Sequence, residues 1–312
     1  MRVLLVVPAA VLALSLGIAA ASCGGDDDAT SAGPVPSVGT ETTGTTEEIP
    51  TTTEQTTETG TETEPSSSEV TYQVWFMSSA GLFVTYRTEA ATPRVGTAAL
   101  ESLLEGPDSF EEGYGLRTTI PDSTQLLGLE IDDAQVYGLE ADGAIARVDL
   151  TSEFESGGGS ASMKARLAQV VYTLTQFPTV KGVLFSLDGV QTCVLEWCDK
   201  PLTRRDFAGL LPAILVTSPG LTQAVESPVL IRGSANVFEA NVSIQILDEN
   251  DKAIVETFTT ATCGTGCRGT YRINVPFQVD HEQQGTIVVH DDDAADTGTF
   301  PNEVRIPVRL LP

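Results

Sequence analysis

Large apolar residues fall along the chain in four patterns, and each predicts a different kind of structure. From Val3 to Ile18 they run almost unbroken, and from Gly24 to Ser68 they nearly vanish. From Val70 onward they recur at strand and helix periods in turn, and beyond Pro212 at strand periods only. Tyr72–Met77 and Leu82–Arg87 predict two strands around a turn at Ser79-Ala80-Gly81. Thr92-Pro93 predicts an N-cap and a first helical proline. That helix carries Ala99, Leu100, Leu103 and Leu104 on one face and stops at Gly106-Pro107. Leu126–Ile131, Ala134–Leu139 and Ala144–Leu150 predict three strands, the last two joined as a hairpin through Asp142-Gly143. After the flexible Ser156-Gly157-Gly158-Gly159-Ser160, the residues Met163, Leu167, Val170, Val171, Leu174 and Phe177 predict a second helix ended by Pro178. Val183–Leu187 then predicts a strand turning at Asp188-Gly189. The expected fold is α+β, with two helices on a mostly antiparallel sheet.

After Leu211-Pro212 the candidate strands are Ala213–Thr217, Pro228–Gly233, Val242–Leu247, Ala253–Thr259, Thr270–Val275, Gly285–His290 and Glu303–Leu310. Short strands at regular spacing with turn residues between them predict an all-β sandwich. Arg204, Arg205, Asp206 and Gly209 mark a polar connection, and the two modules are expected to fold separately. Leu210 and Leu211 are the apolar residues there that would pack the modules together and limit a hinge.

Arg2, the apolar run and the small residues Ala19-Ala20-Ala21-Ser22 have the order of a secretory signal peptide. With Cys23 at the cut, the segment resembles the lipobox of bacterial lipoproteins, in which the cysteine is lipidated and becomes the mature N-terminus. Ala20 stands where that family usually has Leu. The competing reading is an uncleaved anchor, since the run is nearly long enough to span. Either places the chain outside the cytoplasmic membrane. The expected organisation is signal peptide 1–22, stalk 23–69, α+β domain 70–203, connection 204–211 and sandwich 212–312. The stalk is Thr-, Glu-, Ser-, Gly- and Pro-rich and cannot bury enough surface to offset its ordering entropy. As a coil it would span about 40 Å.

Charge narrows the partners. The 312-residue chain carries −26, and the stretch from Gly24 to Glu69 alone holds three Asp and eight Glu. Without those acids and Arg2, 16 bases still face 32 acids. Nucleic acid, which requires clustered Lys and Arg, is therefore not an expected partner.

Four cysteines besides Cys23 fall as two close pairs, Cys193 with Cys198 and Cys263 with Cys267. Two local disulfides are expected in an oxidising compartment. A four-cysteine zinc site and a cross-pairing between the domains are the alternatives. His281 and His290 are expected on the surface, with no hydrolase motif around either. Asp291, Asp292, Asp293 and Asp296 form the one candidate metal loop, with oxygen ligands suited to calcium but without EF-hand spacing. Trp75 and Phe238 read as core aromatics. Trp197, between Cys193 and Cys198, reads as an aromatic on a constrained loop and a candidate contact for a protein partner. No catalytic residue and no cofactor are expected.

Several motifs in sequence order carry a family resemblance. They are Leu103-Leu104-Glu105-Gly106-Pro107, Thr119-Ile120-Pro121, Val148-Asp149-Leu150-Thr151-Ser152-Glu153-Phe154, the helix from Leu167 to Thr175, and Phe177-Pro178-Thr179-Val180 before Leu187-Asp188-Gly189. From about Tyr72 to Leu202 the chain resembles the GerMN domain of sporulation and spore-germination proteins. Ser218-Pro219, Ser227-Pro228-Val229, Gly233–Ala240 and Val304-Arg305-Ile306-Pro307-Val308 resemble the immunoglobulin-like Gmad2 domain that often accompanies it. The resemblance implies a non-enzymatic, lipid-anchored envelope protein acting through protein–protein contact in envelope assembly, signalling, or sporulation- and germination-related processes. It implies envelope proteins, a membrane sensor kinase or further copies of the chain as partners. The alternative is a module binding cell-wall glycan or peptide, against which the aromatic content of 6% argues.

Overall fold

A computed structural model describes residues 68–137, 143–191, 200–291, 300 and 302–312. Cys23, the expected stalk through residue 67, the turn residue Asp142, Cys193, Trp197, Cys198, Asp292, Asp293 and Asp296 lie outside the described residues, while Glu69, expected to end the stalk, starts the first strand. Among the described residues no helix is long and apolar enough to cross a membrane.

Strands β1 (Glu69–Ser78) and β2 (Gly81–Ala90) form the expected hairpin, paired from Glu69–Ala90 to Ser78–Gly81. Helix α1 (Val95–Glu105) starts two residues later than expected. Thr92 Oγ1 instead accepts the Arg94 N–H at 3.1 Å, which holds a turn ahead of the helix. The helix buries Ala99, Leu100 and Leu103 and ends at Gly106, whose φ is +87°. A short helix the apolar pattern does not predict follows, α2 (Ser109–Tyr114). Its signal is Asp108-x-x-Glu111, a reciprocal capping box.

β3 (Leu126–Asp133) pairs antiparallel with β4 (Ala144–Leu150). Ala134–Leu139 was expected to form β4's hairpin partner, and its described part, Ala134–Tyr137, does not. Ala134–Tyr137 is a 3₁₀ turn, and Asp133 Oδ1 takes the Gln135 N–H at 2.9 Å, an offer that competes with a strand ladder. From β4 the chain passes through α3 (Ser160–Leu174) to the parallel strand β5 (Val180–Leu187), which turns back into β6 (Val190–Gln191). The first domain therefore holds a two-stranded sheet and a separate mixed four-stranded sheet, where one mostly antiparallel sheet was expected.

Helix α3 explains the split. It buries eleven of its fifteen residues, Arg166, Gln169 and Thr173 among them. These polar side chains and Gln176 pair with backbone that no strand reaches. Gln176 accepts the Gln73 N–H and returns a bond to the Gln73 carbonyl at 2.5 and 2.7 Å. Thr173 Oγ1 accepts from Trp75 N at 3.2 Å, and Gln169 Nε2 donates to the Trp75 carbonyl at 3.3 Å. The free edge of β1 is thus capped by helix side chains, so no third strand is needed to satisfy it. Arg166, 3% exposed, donates to the carbonyls of Thr119, Phe154 and Gly157. The Gly157 loop, expected to be flexible, is tied down by the last of these bonds.

The second domain packs two sheets. One has the order β11-β10-β13-β14-β8 and the other β12-β9-β7. The strands are β7 (Ile214–Ser218), β8 (Ala224–Val225), β9 (Val229–Ala235), β10 (Asn241–Leu247), β11 (Ala253–Thr260), β12 (Gly269–Val275), β13 (Gln283–His290) and β14 (Val304–Leu310). All seven expected strands are present within two residues at each end; only β8 was not anticipated. Cys263 and Cys267 are joined as a disulfide between β11 and β12, with Cα atoms 5.8 Å apart, which leaves neither thiol free for zinc.

Two expectations about exposure are corrected. His290 is buried, its ring 3.8 Å from that of Phe300, because it ends β13 inside the sandwich. Phe238 is 65% exposed, because it begins a 3₁₀ turn (Phe238–Ala240) and not a core strand. His281 is exposed as expected, 3.6 Å from Glu249. Trp75 is core.

Candidate functional site

Residues 63–312 form one compact unit, and the connection between the two domains is packed into it. Leu202 exchanges backbone bonds with Val183 of β5 at 2.8 and 2.9 Å. The Thr203 N–H and hydroxyl donate to Asp206 Oδ2 at 2.8 and 2.9 Å, which starts a 3₁₀ turn over Arg204–Leu210. Phe207 of this turn is fully buried, and Leu210 and Leu211 pack against the same core.

Tyrosines of the first domain reach backbone of the second. Tyr86 donates its hydroxyl proton to the Thr217 carbonyl, and Tyr114 donates to the Arg305 carbonyl at 2.5 Å. The Tyr86 ring lies so near Gly220 that a Cβ there would sit 2.7 Å from it. Burial raises the pKa of both phenols, that of Tyr114 to about 12. A phenol whose folded pKa exceeds its unfolded value of 10.0 contributes stability below that value and loses it as pH rises through the folded pKa. Stability is therefore expected to fall between about pH 10 and 12 as these donors ionise. Urea denaturation across that range checks this, and Tyr114→Phe should flatten the fall.

The two larger clefts along this seam share Thr217 and Arg232. The first, about 610 Å³, lies beside Tyr86, Arg87, Phe110 and Glu111. Arg87 and Glu111 form a bidentate pair there, both contacts 2.7 Å. That hydrogen bond raises the pKa of the Arg87 guanidinium. The second cleft, about 970 Å³, lies between the β7-β9-β12 sheet and the 3₁₀ turn of the connection. Its wall holds Arg204, whose guanidinium carbon is 4.8 Å from the Tyr172 ring and 5.4 Å from that of Trp75.

Of the aromatic, cysteine and acidic residues singled out from sequence and described here, Trp75 lines these clefts. Asp291 lies elsewhere, its Oδ2 accepting from Asn302 at 2.6 Å. Among the described residues no three His, Cys, Asp or Glu side chains gather as a metal site. Sequence reasoning missed Tyr86, Arg232 and Arg272. Arg232 and Arg272 signal only through strand alternation, which becomes a shared surface once the β9–β12 register is known, and Tyr86 on β2 carries no signal of its bond to Thr217.

These elements define a class: a mixed α/β module docked on a β-sandwich, with clefts at the seam. Residues 59–193 match the Germane family, described as sporulation and spore germination, and residues 213–298 match Gmad2, the immunoglobulin-like domain of bacterial spore germination. The chain carries a GerMN domain followed by a Gmad2 domain. Among solved structures it is similar to a provisionally named lipoprotein from Clostridium perfringens, at 19% identity over 46% of this chain and 92% of that one, TM-score 0.31. It is also similar to the tandem GerMN domains of the sporulation protein GerM from Bacillus subtilis, at 14% identity and TM-score 0.33. That match covers 78% of this chain and 61% of the tandem. CopC from Methylosinus trichosporium OB3b matches 32% of this chain and 94% of its own at 22% identity, TM-score 0.22. No curated protein matches.

Proposed function

We propose that this chain is a non-enzymatic envelope protein, tethered outside the cytoplasmic membrane through lipidated Cys23 and working through protein–protein contact in a sporulation- or germination-related process. The descriptions of the two matched families support the process. The observation that carries the contact is β3. It is the edge strand of the four-stranded sheet, and Leu127, Ile131 and the adjacent Val136 are 51, 50 and 73% exposed. An edge strand that presents exposed apolar side chains is a template for a partner's strand.

The test is photo-crosslinking from position 131 in intact cells, with a fatty-acid analogue supplied. Wild type should take up label, stay with the membrane fraction and give discrete protein adducts. Cys23→Ser should lose the label and the fractionation. Leu127→Glu with Val136→Glu should lose the adducts while keeping the wild-type melting curve. Absence of adducts in the labelled wild type removes the contact reading, and absence of label removes the anchor.

A further inference from the structure

In a chain of 17 Lys and Arg against 43 Asp and Glu, four arginines converge on one surface. Arg204, Arg205, Arg232 and Arg272 line the cleft of about 970 Å³, and no Asp or Glu is among its described lining residues. Arg232 on β9 stands directly opposite Arg272 on β12, and both are exposed. Like charges opposed on one sheet face repel and destabilise the pair. Among the described residues neither of them, nor Arg205, forms an ion pair. Behind them, Arg204 donates to the Tyr172 carbonyl and Thr175 Oγ1 at 3.0 and 2.8 Å. Arg268 donates to the Ser234 carbonyl and hydroxyl at 3.2 and 3.1 Å and to the Pro212 carbonyl. All these acceptors are neutral. No described carboxylate therefore neutralises either guanidinium, and their charge adds to that of the exposed arginines at the cleft.

The rest of the lining narrows the anion. Guanidinium forks fit phosphate and carboxylate equally. The lining also holds the hydroxyls of Thr217, Ser234, Thr262 and Thr270, each bonded within the protein and each with capacity for a further bond to a hydroxylated ligand. Of the apolar lining residues, Trp75, Tyr172, Leu215 and Tyr271 are buried. The volume lies at the top of the roughly 300–1,000 Å³ range of small-ligand sites, enough for more than one phosphate. We infer that this cleft binds a polyol-phosphate polymer, with Arg205, Arg232 and Arg272 on its phosphates. The surface is distinct from β3 and goes beyond the protein contact proposed there.

Calorimetric titration of the full chain with poly(glycerol phosphate) tests this, against inorganic phosphate, polyglutamate and uncharged dextran. Saturable binding of the polymer, weakening as salt is raised, is expected. Arg232→Gln with Arg272→Gln should weaken it about tenfold or more. The same variant should melt at or above the wild-type temperature, because it removes a repulsive pair. Arg309→Gln, which alters an exposed cation paired with Glu282, should change nothing. Arg232→Lys with Arg272→Lys keeps the charge without the fork and should fall between wild type and the Gln pair. No binding of the polymer overturns the inference, as does equal binding by the well-folded Gln pair. Polyglutamate binding as tightly as the phosphate polymer also overturns it and makes the cleft an acidic-peptide site.

Discussion

Replacing Gln169 with leucine is expected to lower the unfolding free energy by about 3–5 kcal/mol. Gln169 is fully buried on α3 and bonds in two directions. Its Oε1 accepts the Thr119 N–H and hydroxyl at 3.0 and 2.8 Å. Its Nε2 donates to the Trp75 carbonyl and Thr118 Oγ1 at 3.3 and 3.2 Å. Leucine has nearly the same volume, so no large cavity opens and the loss isolates the polar bonds. The two hydroxyls can rotate toward other partners, but the backbone groups of Thr119 and Trp75 cannot. Each backbone group left unpaired inside the protein costs about 1–3 kcal/mol. Thr173→Val removes a partner from the Trp75 N–H alone and should cost about half as much. Urea unfolding with an unchanged m-value checks both. A Gln169→Leu loss below about 1 kcal/mol would mean that water or a rearranged β1 edge satisfies these groups.

That polar row also marks where the sequence stopped being legible. The apolar positions Leu167, Val170, Val171 and Leu174 announce a helix, and α3 is one. The same pattern gives no role to Arg166, Gln169 and Thr173 between them, because periodicity reports hydrophobicity and says nothing about carbonyls needing donors. Because β1 pairs with β2 on one edge and with no named strand on the other, those side chains became hydrogen-bond partners of that second edge. The sandwich was more readable, since its strands alternate buried and exposed residues and their turns hold Gly, Asn and Asp. Burial along β12 alternates at every position but Ile273, which is partly buried. The arginine cleft was not readable, because opposition of Arg232 and Arg272 is a matter of register across 40 residues of chain. Gly81 was read as a turn residue and is the first residue of β2 after the turn, but its contact with the connection lies beyond any local pattern.

Gly81→Ala should expose how strongly the two domains depend on each other. Gly81 has φ +129°, and a Cβ there would lie 2.3 Å from the Leu210 carbonyl oxygen and 3.3 Å from Pro212 N. These are backbone atoms of the connection, so no side-chain rotation relieves the clash. The hairpin turn is itself held by Ser78, whose hydroxyl donates to the Gly81 carbonyl at 2.9 Å. The connection must therefore shift, and with it Pro212, whose carbonyl accepts from Arg268. In the full chain the substitution should cost about 2–4 kcal/mol, of which about 1–2 is the local cost of an alanine at this φ. In the proposed first domain alone, residues 70–203, Leu210 and Pro212 are absent and only the local cost should remain. The difference between the two losses measures the coupling carried by the connection. The wild-type chain should melt above either isolated domain. The alanine variant should melt in two steps, the second domain's step moving toward that of isolated 212–312. Equal losses in fragment and full chain would show that the packed connection carries no coupling, and that the clefts beside it open without cost to either domain.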